Sequence, residues 1–169
     1  MSHKKLVIFF SIFLLASFLC GCKNDTDDIA SFLEINIPKY TSIYQDSSED
    51  GFLGDGFSYA SISFDEEHVK QLINEIEKND SWRKFPLSEQ LATFIYGYED
   101  ETEVIESVVK ADVEDFPNID NGYWFFKDNN NKNGDPYNDT HLFNRNSFNC
   151  MIGILDTDTN ILYFYNLDT

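Results

Sequence analysis

The sequence predicts an α+β fold: one small domain with an antiparallel sheet and two short helices packed on one face. Three observations lead there. Ser147–Leu155 and Asn160–Leu167 are apolar runs with β-branched and aromatic residues, joined by the turn-forming Asp156-Thr157-Asp158-Thr159. Val69, Leu72, Ile73 and Ile76 recur at i, i+3, i+4 and i+7, the spacing of one helix face. The strand and helix patterns follow the order β(β)βα, α, β, ββ, with no internal repeat and no regular strand–helix alternation, which suits an antiparallel rather than a parallel sheet.

The first 22 residues read differently from the rest. Lys4 and Lys5 precede the apolar run 6–19, and a polar chain follows at once, the layout of an export signal. The run is short for a membrane span. It ends in Leu19-Cys20-Gly21-Cys22, which resembles the lipobox of bacterial lipoprotein signal peptides. That resemblance implies cleavage before Cys22 and a diacylglyceryl group on its thiol. Two acyl chains anchor a protein stably where one does not. The expected organisation is a signal peptide over 1–21, a lipidated Cys22 with a polar spacer to residue 30, and a domain over 31–169. The expected location is the extracytoplasmic face of the cell membrane.

Of 169 residues, 12 are basic and 30 acidic. Removing Lys4 and Lys5 with the signal leaves 10 against 30, a net charge of −20. Such a surface repels nucleic acid and anionic lipid. An aromatic content of 16% separates the chain from disordered acidic segments. Cys20 leaves with the signal and Cys22 is assigned to the lipid, so Cys150 has no cysteine to pair with. It lies in an apolar strand pattern, where a buried, inert thiol is expected.

Taken in order, Phe32–Ile37 alternates, with Leu33, Ile35 and Ile37 on one face, which predicts a half-buried strand ended by Pro38. Tyr40–Tyr44 fits a short edge strand, and Gln45–Gly56 reads as an Asp, Ser and Gly loop. Phe57–Phe64 is a second strand with Ala60, Ile62 and Phe64 inward. Asp65 caps a helix over 66–78, with Glu66 and Glu67 in the first turn, where the dipole favours anions. Trp82, Phe85, Pro86 and Leu87 make an apolar turn. Ser88 caps a second helix, with Leu91, Phe94 and Ile95 inward and Gly97 as terminator. Val104, Ile105, Val108 and Val109 fit either a short strand or one helical turn. Gly122–Asp128 is a strongly aromatic strand, and Asn129–Asn146 a long polar loop.

Several segments together resemble a family of small uncharacterised exported proteins and lipoproteins of Gram-positive bacteria. They are Gly51–Gly56 (G-F-L-G-D-G), Trp82–Ser88 (W-x-x-x-P-L-S), Tyr123–Asp128, and the ending from Ser147 to Thr169. The resemblance implies a single exported domain and carries over no catalytic residue.

Candidate chemistry is sparse. Asp46, Ser48 and Asp50, followed by Gly51, match the opening of a calcium loop, in which alternate oxygens wrap a hard cation and Gly permits the turn. Asp55 adds a fourth oxygen, but Phe57 stands where the bidentate Glu belongs. Asn129–Gly134 repeats the spacing with amides, and Thr140 stands in place of the Glu. His68 and His141 show no metal-ligand spacing, and no catalytic constellation is evident. A Cys150–His141 pair with Asp139 is the nearest approach to one. Alternation places Tyr123 and Phe125 on one face of the aromatic strand, with Trp124 and Phe126 on the other. One of these faces is a candidate platform for a partner. The expectation is a lipid-anchored, non-catalytic domain that binds an envelope protein or peptide. The alternatives are a calcium-dependent module and an unrecognised hydrolase.

Overall fold

A computed structural model describes residues 26–48, 55–131 and 134–169. In order they form α1 (Asp27–Leu33), β1 (Ser42–Ser48), β2 (Gly56–Ser63), α2 (Glu66–Ile76), β3 (Trp82–Lys84), α3 (Glu89–Tyr96), β4 (Tyr98–Glu99), β5 (Val104–Ile105), α4 (Val108–Asp112), β6 (Gly122–Asp128), β7 (Asn149–Asp156) and β8 (Ile161–Asp168). Six strands make one antiparallel sheet in the order β1-β2-β8-β7-β6-β3, and β4–β5 is a separate two-stranded ribbon. The α+β class and the antiparallel sheet are as the sequence predicts.

The helices cover both faces rather than one. On one face α1 and α2 bury Ile29, Leu33, Val69, Leu72 and Ile76 against Ala60, Ile62, Phe125, Leu155, Leu162 and Phe164. On the other, α3 and α4 bury Leu91, Phe94, Ile95 and Val109 against Trp124, Phe126, Ile152, Ile154, Tyr163 and Tyr165. A strand covered on both sides must be apolar at consecutive positions rather than at alternate ones. Residues 150–156 of β7 are buried without a break for that reason.

The caps follow the sequence. Asp65 accepts the N–H groups of Glu67 at 3.0 Å and His68 at 2.9 Å. Ser88 Oγ accepts that of Leu91 at 3.1 Å, and Gly97 ends α3 at φ +79°, where a Cβ would stand 2.9 Å from the Ile105 carbonyl oxygen. Between 98 and 112 both readings of the valine-rich stretch are realised, Val104–Ile105 as strand β5 and Val108–Asp112 as helix α4.

Three elements depart from the sequence reading. Asp27–Leu33 is a helix, where a spacer and the start of a strand are expected. Ile29 and Leu33, four residues apart, are both buried, and that helical pair prevails over the alternation of Leu33, Ile35 and Ile37. Asp27 and Asp28 sit in its first turn, and Glu34 ends it in a left-handed conformation at φ 57°. Trp82 opens a strand, β3, rather than a turn; its indole N–H donates to the Leu33 carbonyl at 3.0 Å, which ties α1 to the sheet. Finally, β1 runs on to Ser48, through the start of the expected loop.

Candidate functional site

Among the described residues nothing pairs with the outer side of β1, and this edge of the sheet is the feature best placed to meet another chain. An edge strand presents unpaired backbone groups, a template for strand addition. Which residues present them follows from the ladder. The Phe64 N–H donates to the Asn160 carbonyl at 3.0 Å, and Ser63 turns its carbonyl to the Thr41 N–H at 2.8 Å. Even-numbered residues of β2 therefore face β8, and odd-numbered ones face β1. The register pairs Ser42, Tyr44, Asp46 and Ser48 with those odd positions. Ile43, Gln45 and Ser47 are left to point N–H and C=O outward. The Ser47 N–H is met locally by the Asp46 carboxylate at 2.9 Å. Residues 44–47 are all exposed.

A groove of about 490 Å³ lies beside this edge, on the α1 side of the sheet. Gln45 and Ser47 pair with Ala60 and Ser58, so their side chains share that face. Opposite them stand Asp28 and Phe32 of α1. Phe32 is 41% exposed, and its ring stacks on that of the buried Phe164, centroids 5.9 Å apart. No lysine or arginine is among the described lining residues. On the opposite face of the same edge, Tyr44 is 59% exposed and meets Tyr59 edge-on.

The sequence-predicted sites fall elsewhere. Cys22 and Asp50 lie outside the described residues. Asp46 and Ser48 belong to β1, not to a loop. Extended backbone sets residues two apart about 6.8 Å from each other, whereas a calcium loop coils its ligands around the ion. Both side chains already serve the backbone: Asp46 takes the Ser47 N–H, and Ser48 Oγ accepts that of Phe57 at 3.4 Å. Asp55 is exposed just before β2. Among the described residues no group of three or more His, Cys, Asp or Glu side chains could hold a metal.

The aromatic strand is not an exposed platform. Trp124, Phe125 and Phe126 are at most 3% exposed, because each face of β6 lies under a helical layer. Only Tyr123 reaches solvent, where its hydroxyl donates to Glu77 at 2.7 Å.

Cys150 is fully buried, and burial pushes its thiol up to about 12, so no thiolate nucleophile exists near neutral pH. His141 contacts the Asn144 amide, and Asp139 accepts the Ser88 hydroxyl. His141 and Asp139 thus have other partners than each other, and Cys150 has no thiolate to offer.

A second concavity of about 600 Å³ lies over the polar loop after β6. Its floor is the buried Asp128, which accepts both terminal nitrogens of Arg145 at 2.7 Å and the Asn130 N–H at 3.0 Å. That fork is internally satisfied and holds the loop in place.

Ile43, Gln45, Ser47, Phe32 and Phe164 are the residues that sequence reasoning missed. The usable signal was the run Ser42–Ser48, seven residues with a single charge and no proline, which can extend as an edge strand. No protein-family model matches the chain, and no curated protein or solved structure is significantly similar to it.

Proposed function

We propose that the protein is a lipid-anchored extracytoplasmic domain that binds a protein or peptide partner of the envelope without catalysing a reaction. The open β1 edge with its flanking groove is the observation that carries this reading. A groove walled by helix α1 and floored by strands suits an extended chain.

The tether reading rests on Lys4 and Lys5, the apolar run and Leu19-Cys20-Gly21-Cys22. Among the described residues no helix is long and apolar enough to cross a membrane. Packing begins close behind Cys22: Thr26 is buried, and its carbonyl accepts the Ala30 N–H at 2.8 Å. The four residues from Lys23 to Thr26 span at most about 14 Å. A domain held by Cys22 therefore works at the membrane surface, and α1 brings the groove to that surface.

Acyl labelling and processing test the tether. Wild-type protein is expected at its processed size with a lipid label, and Cys22→Ser at its unprocessed size, keeping the apolar run 6–19, with none. If the two are processed and labelled alike, the anchor reading is wrong.

A further inference from the structure

We infer that the occupant of the β1 edge is an extended basic segment of another polypeptide, added as a seventh strand. This rests on the reading of the chain as a binding domain and names the chemistry of its partner. Ile43 and Gln45 direct N–H and C=O groups outward with no described segment beside them. An added strand pairs with those groups, and its alternate side chains enter the groove.

Charge selects the kind of strand. The mature chain carries −20, and the exposed Asp46 stands at the middle of the edge. A second copy of this chain would bring like charge to the same edge, which disfavours self-pairing. A segment alternating lysine or arginine with apolar residues sets its cations on the Asp46 side of the sheet and its apolar side chains in the groove. The exposed face of Phe32, backed by Phe164, offers an apolar contact to the side chains that enter the groove. The Asp46 carboxylate now holds the Ser47 N–H, which keeps that end of the edge closed to neutral strands. A cation in the partner competes for that carboxylate and opens it.

The test uses the full-length lipidated protein in neutral detergent micelles and three synthetic peptides of about nine residues. One alternates lysine and valine. The second has glutamate for lysine. The third is the lysine peptide with alternate amides N-methylated, which keeps its charge and removes strand pairing. Amide exchange is read residue by residue. The lysine peptide is expected to slow exchange at Ile43 and Gln45 about tenfold or more, as for amides newly enclosed in a ladder. Tyr44 and Asp46, bonded to β2 in the free protein, should change little. The glutamate and N-methylated peptides should leave Ile43 and Gln45 unchanged. Asp46→Asn should weaken the lysine peptide's effect severalfold.

No protection at Ile43 and Gln45 under saturating lysine peptide overturns the inference. So does equal protection by the N-methylated peptide, which marks adsorption by charge alone. Equal protection by the glutamate peptide overturns the basic partner. Protection mapping to another surface sinks the edge assignment while leaving a binding domain in place, and acyl labelling of Cys22→Ser reports on the tether independently.

Discussion

Gly153 and Leu33 form a contact whose strength can be worked out before measurement. Gly153 lies in β7, directly beneath α1. A Cβ built there would stand 2.7 Å from Leu33 Cδ2 and 2.9 Å from Trp82 Cη2. Both distances are shorter than real Cβ contacts allow, so Gly153→Ala must displace α1 or the indole. Overpacking of this kind costs about 1–3 kcal/mol. Leu33→Ala has the opposite geometry. Leu33 is fully buried, and truncating such a leucine costs about 2–5 kcal/mol in lost burial and cavity. The two errors are complementary, because the atom that Leu33→Ala removes is the one the new methyl strikes. The double variant should therefore be less destabilised than the sum of the singles by about 1 kcal/mol. Denaturant unfolding of residues 23–169 measures all four corners of the cycle. Additivity within about 0.3 kcal/mol would refute the packing of α1 on β7. So would a Leu33→Ala cost below about 1 kcal/mol, the value fitting a polar spacer rather than a core helix.

Other outcomes follow from the same structure. Tyr165 is almost fully buried and its phenol donates to Asp112 of α4, so Tyr165→Phe should lower the free energy of unfolding by about 1–2 kcal/mol. Alkylation of Cys150 by iodoacetamide at pH 8 should be slow in the native protein and fast in denaturant; fast native labelling would contradict its burial. Asp100 accepts the Tyr98 hydroxyl, the Thr102 N–H and hydroxyl, and the Glu103 N–H, and these bonds hold its carboxyl below the usual value. Its contribution to the β4–β5 turn is thus present above about pH 3.9 and lost as pH falls through the lower folded value. An NMR titration of Asp100 with an ordinary midpoint would contradict the turn. Calcium should leave the melting temperature unchanged, because Asp46 and Ser48 are engaged by backbone N–H groups. A rise of several degrees that Asp46→Ala removes would restore a cation site.

Much of the fold was legible because it follows from local pattern. The α2 stripe, the Ser88 cap with Gly97 and the β7–β8 hairpin each depend on neighbours within a few residues. Helix α1 was hidden because Leu33 belongs to two periodicities at once, and only the docking of Ile29 and Leu33 on Gly153 and Trp82 decides between them. The covering of both faces was likewise hidden. Consecutive apolar residues in β6 suit an exposed aromatic face and a doubly covered one equally, and the choice lies in where α3 and α4 land. An edge strand was legible at Tyr40–Tyr44, but its continuation to Ser48 and the outward aim of Ile43 and Gln45 were not, because they depend on the register with β2 and on the lack of a neighbour among the described residues.

Site-specific photo-crosslinking in intact cells tests the central claim most directly. A photoreactive residue at Gln45 sits on the open edge, and one at Lys70 sits on the exposed side of α2. The account predicts a discrete adduct from Gln45 that is absent from Lys70. No adduct from Gln45, or the same adducts from both positions, would contradict a membrane-held domain that works through the β1 edge.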